Sequence, residues 1–215
     1  GVSIVAVGFG GANEQTMRAI ASAPSSDFAF FGASMDEVRQ HFASDRLCEL
    51  AASPKAPPPP PSTPAPPGLP PSPPSPSPAP PSPPACVVKL ELVLVLDKSG
   101  SVRAEQSSLL AFAREMVSQF RLDATEGARV GVVEFSSDAA TLTPLTGSLS
   151  DVLTAIDGAS AAGGGTSVSD GLELGRAEVN RGARADVPRT ILLLTDGVQT
   201  VDGNDDTAIA EGAAV

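Results

Sequence analysis

The chain has 215 residues, of which 41% are apolar, and its formal net charge at pH 7 is −11. An acidic chain lacks the basic footprint that a nucleic-acid partner requires, so composition argues against nucleic-acid binding. No apolar run approaches the roughly 18 residues of a membrane span, and the single histidine leaves little material for a Ser-His-Asp triad. We therefore expect neither a membrane span in this segment nor enzymatic activity. The first residue is Gly1 and no signal peptide is visible, so we expect a piece of a longer chain.

Composition divides the chain into three parts. Residues 1–52 and 86–215 have ordinary globular compositions, whereas 19 of the 22 prolines lie between Pro54 and Pro84. Prolines in close succession lack amide donors and have a fixed φ, so residues 53–85 are predicted to form a polyproline II rod. At about 3.1 Å per residue this rod would span roughly 100 Å. A flexible disordered linker is the alternative.

The first part is predicted to contain a strand, a glycine turn, a helix, a short strand and a second helix. The first strand covers Val2 to Val7, and a helix runs from about Asn13 to Ala23. The short strand is placed at residues 28–31. The last helix is indicated by apolar residues at helical spacing, namely Met35, Val38, Phe42 and Leu47.

The third part alternates strands with helices. Strands are predicted at about residues 87–97, 129–135, 141–143 and 190–194, and helices at about 104–120, 149–156 and 207–215. The loop of residues 163–166 opens a further helix that runs to about Val179. Such alternation indicates a mostly parallel sheet with helices on both faces. The first strand is a near-continuous aliphatic run, which is typical of a strand buried on both faces.

The segment Asp97-Lys98-Ser99-Gly100-Ser101 directly follows this apolar strand. Open α/β sheets place their ligand sites outside the carboxyl ends of the strands. One carboxylate and two hydroxyl groups are oxygen ligands that suit a hard divalent cation. The segment therefore predicts a surface metal site, and the alternative is that its hydroxyl groups only cap a helix or a turn.

These residues resemble the von Willebrand factor type A domain. Asp97-x-Ser99-x-Ser101, Thr166 in its glycine-rich loop and Asp196 in Thr-Asp-Gly match the metal-ion-dependent adhesion site of that family. The resemblance implies a doubly wound, mostly parallel α/β sheet. It also implies that Ser99, Ser101 and Thr166 contact the cation directly or nearly so, while Asp97 and Asp196 act through water. Mg²⁺ is the expected ion, with Ca²⁺ or Mn²⁺ as alternatives, and the carboxylate of a protein partner can complete its coordination.

Residues 1–52 resemble the opposite end of the same domain, because residues 1–10 look like its fifth strand. The chain is thus predicted to carry the C-terminal portion of a von Willebrand A-type domain, the proline tract, and then the N-terminal portion in residues 86–215. Without further strands, residues 190–194 would form an exposed aliphatic sheet edge. The missing strands must come from residues 1–52. A stiff rod cannot easily return its ends to one small domain, so we expect a neighbouring copy to supply them.

The resemblance further implies a disulfide, since members of the family often tie the two ends of the domain with one. Cys48 falls in the last predicted helix of the first part, and Cys86 lies just before the first strand of the third part. We expect Cys48 of one unit to pair with Cys86 of the adjacent unit, and two free buried thiols are the alternative. A disulfide fits an oxidising, extracellular location.

The proline tract, and Ser72 to Pro78 in particular, resembles hydroxyproline-rich glycoproteins of plant and green-algal extracellular matrices. This resemblance implies hydroxylated, sugar-bearing prolines. Together, the two resemblances imply a secreted structural protein whose domains and proline rods assemble head to tail into a fibre or matrix. The alternative is a metal-dependent adhesion receptor or agglutinin.

Overall fold

The computed structural model describes residues 1–42, 48, 86–159, 163–201 and 203–214. The predicted polyproline II rod at residues 53–85 and the predicted helical position of Leu47 lie outside these residues.

Six strands and seven α-helices make up the described part of the chain. The strands are β1 (Val2–Phe9), β2 (Ala29–Gly32), β3 (Leu90–Asp97), β4 (Ala128–Phe135), β5 (Ala139–Thr146) and β6 (Arg189–Thr195). The helices are α1 (Glu14–Ile20), α2 (Ser25–Phe28), α3 (Met35–His41), α4 (Gln106–Ser118), α5 (Leu149–Gly158), α6 (Val168–Asn180) and α7 (Asp205–Ala213). A short 3₁₀ helix covers Ser101–Ala104.

The strands form one sheet in the order β2-β1-β6-β3-β4-β5. All neighbouring strands are parallel except β5, which runs antiparallel to β4. One face of the sheet packs on α3, α4 and α5, and the other packs on α1, α6 and α7. Every residue of β3 is buried, as its aliphatic run predicts. The expected doubly wound, mostly parallel α/β fold is therefore confirmed.

The first part of the chain completes the sheet edge that the third part leaves open. β1 pairs with β6 over seven residues, from Val2 opposite Arg189 to Gly8 opposite Thr195. The aliphatic edge of β6 is thereby covered by another strand, which removes the aggregation hazard of an exposed edge.

The completing strands come from the same chain, whereas we expected a neighbouring copy to provide them. The disulfide likewise joins Cys48 to Cys86 within the chain, with a Cα–Cα distance of 5.9 Å and a sequence separation of 38. The expectation rested on the stiffness of the proline tract. Pairing of β1 with β6 over seven residues covers the aliphatic edge of β6 within one chain, and this favours closure of the sheet by the chain itself.

A buried ion-pair network supports the amino end of β3. Glu91 is fully buried and accepts hydrogen bonds from Arg129 and Arg184 at 2.6–2.9 Å. Burial raises the pKa of Glu91, but the hydrogen bonds from the two arginines outweigh burial and hold that pKa below its ordinary value. This network lies at the end of the sheet opposite the predicted metal site.

Within the described residues, no helix is both long and apolar enough to cross a membrane.

Candidate metal site

The predicted metal-binding residues meet at the carboxyl edge of the sheet, where β3 and β6 end side by side. Leu96 of β3 pairs with Leu194 of β6, so the residues that follow each strand are neighbours. Asp97 is 2% exposed and Asp196 is 8% exposed. Two carboxyl groups from separate strands are thus brought together in a largely desolvated place.

Local hydrogen bonds hold the Asp97 carboxyl group in a fixed orientation. Its Oδ1 accepts the Ser99 backbone N–H at 2.7 Å, and its Oδ2 accepts the Thr195 hydroxyl at 2.5 Å. Burial raises the pKa of Asp97 to about 6, while these hydrogen bonds oppose the rise and the nearby Asp196 carboxylate adds to it. Among the described residues, no cationic group is a cause of the Asp97 pKa shift, and a bound cation would supply the positive charge that an ionised Asp97 would otherwise lack.

Two serine hydroxyl groups bridge the carboxyl groups. Ser99 Oγ lies 3.0 Å from Ser101 Oγ, and Ser101 Oγ donates to Asp196 Oδ1 at 2.7 Å. Adjacent ligands of an octahedral Mg²⁺ ion, with metal–oxygen distances of about 2.0–2.1 Å, lie about 2.9 Å apart. The spacing of these oxygen atoms therefore fits ligands that share one small cation. Ser101 is exposed, so the group opens to solvent on that side.

Burial also raises the pKa of Asp196 above its ordinary value. The hydrogen bond from Ser101 opposes this rise, and the negative charge of Glu105 adds to it. Both carboxyl groups at this edge thus have raised pKa values that originate mainly in desolvation, and both would be stabilised in the ionised state by a bound cation.

Thr166 approaches the same place from the glycine-rich loop. Its backbone N–H donates to Thr200 Oγ1 at 2.7 Å, and the Thr200 N–H donates to the Thr166 carbonyl at 2.8 Å. A Cβ atom added to Gly197 would lie 3.3 Å from Thr166 Oγ1 and 3.7 Å from Ser101 Oγ. The Thr166 and Ser101 hydroxyl groups therefore line a space that the missing side chain of Gly197 leaves open.

Lys98 does not neutralise the two carboxyl groups, although it lies next to Asp97 in sequence. Its Nζ pairs with Glu134 Oε1 at 2.7 Å, and both of these side chains are mostly buried. The second carboxylate oxygen of Glu134 is buried and has no hydrogen-bond partner. The Lys98 charge is therefore paired with Glu134 of β4 and does not offset the charge of the two carboxyl groups.

The donor set fits a hard cation. Within the described ranges, no cluster of three or more His, Cys, Asp or Glu side chains is placed to hold a metal. The site has two carboxyl and three hydroxyl groups instead, all of them oxygen donors of the kind that Mg²⁺, Ca²⁺ and Mn²⁺ accept. The residues that would hold the ion are Asp97, Ser99, Ser101, Thr166 and Asp196.

Sequence reasoning did not identify the side chains that orient these ligands. Thr195 fixes the Asp97 carboxyl group, and Thr200 fixes the Thr166 backbone. Thr195 carried a signal, because it is a hydroxyl residue directly before Asp196 at the end of an apolar strand. No sequence signal pointed to Thr200, because its contact with Thr166 is made across 34 residues of sequence.

The chain is thus an α/β domain with a doubly wound sheet and a cluster of carboxyl and hydroxyl groups at the carboxyl edge of that sheet. The family model of the von Willebrand factor type A domain matches residues 92–199, half of the chain, and the chain belongs to this family. No curated protein is matched by this chain.

Several solved structures are similar to this chain. The vWF domain of the type V pili tip protein Mfa5 from Porphyromonas gingivalis is 25% identical over 53% of this chain and 40% of that chain, with a TM-score of 0.48. Proximal thread matrix protein 1 from the mussel byssus, with a zinc-occupied MIDAS motif, is 22% identical over 92% of this chain and 43% of that chain, with a TM-score of 0.49. The chain thus spans less than half the length of either protein.

Proposed function

We propose that this chain is a non-enzymatic, extracellular module that binds a divalent cation, Mg²⁺ in the first instance, and through it a carboxylate of a partner protein. The observation that carries the proposal is the convergence of two carboxyl and three hydroxyl groups from three loops at one edge of the sheet. Helix and turn capping would account for individual hydroxyl groups but not for two desolvated carboxyl groups with raised pKa values.

The residues of the site have distinct roles in this proposal. Asp97 and Asp196 supply negative charge, and Thr195 keeps the Asp97 carboxyl group oriented. Ser99, Ser101 and Thr166 supply neutral oxygen ligands. A bound cation supplies the positive charge that a partner carboxylate recognises. The site has only two protein carboxylates, and Ser101 is exposed. A carboxylate of a partner protein can therefore reach the cation from the solvent side.

Calorimetric titration of the full chain with Mg²⁺, Ca²⁺ and Mn²⁺ tests the proposal. We expect saturable binding that Asp97→Asn and Ser99→Ala each weaken more than tenfold. Asp157→Asn is the matched control, because Asp157 is an exposed carboxylate on α5 that pairs with Arg114. Absence of binding for all three ions, or equal binding by Asp97→Asn, contradicts the proposal.

A structural role in a fibre or matrix is the second candidate, because β1 and β6 are complementary strand edges that lie in two separate parts of the chain. The same seven-residue pairing, made between copies, would join them head to tail, and heterologous contacts that do not close build filaments. In this arrangement residues 53–85 would be polyproline II spacers of the hydroxyproline-rich glycoprotein kind found in plant and green-algal matrices. In such an assembly the Cys48–Cys86 bond, which joins two residues of one chain in the structure, would link neighbouring copies instead.

Mixed-isotope refolding separates the two arrangements. Reduced ¹⁵N-labelled and unlabelled chains are mixed, oxidised and digested without reduction, and the Cys48–Cys86 peptides are weighed. Exchange between copies predicts peptides that contain one labelled and one unlabelled cysteine, in a proportion that rises with concentration. Peptides of uniform label at every concentration would exclude exchange. Amino-acid analysis of the native protein for hydroxyproline tests the glycoprotein resemblance.

A further inference from the structure

The beginning of α1 is in contact with the loop that follows β6 and carries the proposed ligand Asp196, although α1 supplies no ligand itself. We propose that residues 13–16 position the β6–α7 loop, and that cation binding and the docking of α1 stabilise one another. This inference rests on the proposed cation binding.

Asp205 makes the link between the two elements. Its Oδ2 accepts the Thr16 hydroxyl at 2.6 Å and the Asn13 side-chain amide at 3.3 Å. Its Oδ1 accepts the Gln199 backbone N–H at 3.1 Å. One carboxylate therefore fastens the start of α1 to the loop that follows Asp196, across 189 residues of sequence.

Hydrogen bonds carry this attachment on to the ligand Thr166. The Gln199 side chain donates to Ser169 Oγ at 2.7 Å and accepts the Ser169 N–H at 3.2 Å, which fastens the loop to the first turn of α6. The adjacent Thr200 exchanges two hydrogen bonds with Thr166. Thr166 thus depends for its position on a loop that Asp205 anchors to α1.

The ligand Asp196 touches the first part of the chain directly. A Cβ atom added to Gly11 would lie 3.2 Å from the Asp196 carbonyl oxygen, which is closer than most side chains approach. Residues 11–16 therefore contact the β6–α7 loop near both of its ends, at Asp196 and at Asp205. This contact thus reaches the loop that carries Asp196 and also Thr200, the hydrogen-bond partner of Thr166.

Thermodynamic linkage connects the affinity for the cation with the docking of α1. If only the anchored loop presents Asp196 and Thr166 correctly, the apparent affinity for the cation falls with the fraction of molecules in which the loop is anchored. Reciprocity then requires that the cation favour the docked state of α1 by the same factor. The coupling holds whether residues 1–42 come from the same chain or from a neighbouring copy.

Thr16→Val tests the positioning role, because it removes one hydroxyl group and keeps the shape of the side chain. We expect Mg²⁺ to bind the full-length variant roughly tenfold more weakly by calorimetry, the effect of one lost hydrogen bond to a charged group. Thr154→Val is the matched control, since its hydroxyl bonds only the Ser150 carbonyl of its own helix at 2.8 Å. Equal affinity of Thr16→Val and wild type overturns the inference.

Hydrogen exchange supplies a readout that does not depend on the affinity. We expect saturating Mg²⁺ to slow amide exchange in α1 and in β1 of the wild type by at least tenfold, and to do so less in Thr16→Val. Unchanged exchange in a wild-type protein that binds Mg²⁺ overturns the coupling alone. A wild type that binds no Mg²⁺ at all contradicts the proposed function instead.

Discussion

The carboxyl group of Asp97 combines nearly complete burial with two hydrogen bonds, and neither of these supplies a positive charge. Lys98 is committed to Glu134, so the charge of an ionised Asp97 is not balanced by its nearest lysine. Burying a carboxylate without a charge partner costs folding free energy, and groups of this kind often occur at functional sites.

Asp97→Asn is expected to stabilise the cation-free protein at neutral pH. The pKa of Asp97 is raised from 3.8 to about 6, so between these values the folded state holds a proton that the unfolded state has released. Stability therefore falls as the pH rises through this window, by about 3 kcal/mol in total. The amide avoids this penalty. Urea unfolding in chelator at pH 7 should show the gain, and at pH 3.5 wild type and variant should be nearly equal.

Cation affinity is expected to rise with pH and then level off. Protonated Asp97 is a poor ligand, and its pKa of about 6 means that the proton competes with the cation below that pH. Calorimetric titrations with Mg²⁺ from pH 5 to 8 should show affinity increasing up to about pH 7 and little change above it. An affinity that is independent of pH over this range would exclude Asp97 as a ligand.

At the scale of elements, α6 lies unusually close to the sheet because glycine occupies its inner face. A Cβ atom added to Gly171 would lie 2.8 Å from Phe135 Cδ1 and 3.1 Å from Val95 Cγ1. Close approach brings the first turn of α6, and Thr166 just before it, next to the ends of β3 and β4.

Gly171→Ala is therefore expected to destabilise the protein by about 1–3 kcal/mol, although alanine is the better helix former. Gly158→Ala is the matched control, because a Cβ atom there meets nothing within 4 Å. Its expected effect is neutral or slightly stabilising. Denaturant unfolding of both variants measures the difference, and an equal effect of the two substitutions would contradict the packing argument.

At the scale of the whole molecule, one sheet is assembled from two parts of the chain, and the disulfide joins them. The Cys48–Cys86 bond joins residues 38 positions apart. It also ties the end of the first part to the residue that leads into β3. The bond thereby keeps the first part close to β6, the strand with which β1 pairs.

Replacing both cysteines by serine is expected to lower the free energy of unfolding by about 4 kcal/mol, the loop-entropy value for a segment of this length. The expected consequence is greater freedom of residues 1–42 to undock or to exchange with another copy. Denaturant unfolding measures the loss, and size-exclusion chromatography over a range of concentrations detects exchange. An unchanged free energy of unfolding would show that the bond constrains little.

Periodicity and composition predicted the order of nearly all elements, because most strands and helices here have clear apolar patterns. β5 is longer than the three residues predicted, since an edge strand with an Ala/Thr-rich, half-exposed sequence has a weak pattern. The four-residue α2 was missed, because so short a turn has no periodicity.

The sequence by itself determined the α/β class, the place of the motif after the central strand and the two complementary parts of the domain. These follow from local residue patterns and from the short motifs of a known family. Only the tertiary structure shows that β1 pairs with β6 of the same chain, that Thr195 and Thr200 hydrogen-bond to Asp97 and Thr166, and that Asp205 joins the start of α1 to the loop after β6. Those contacts join residues far apart in sequence, and no local pattern encodes which distant hydroxyl group will meet which carboxylate.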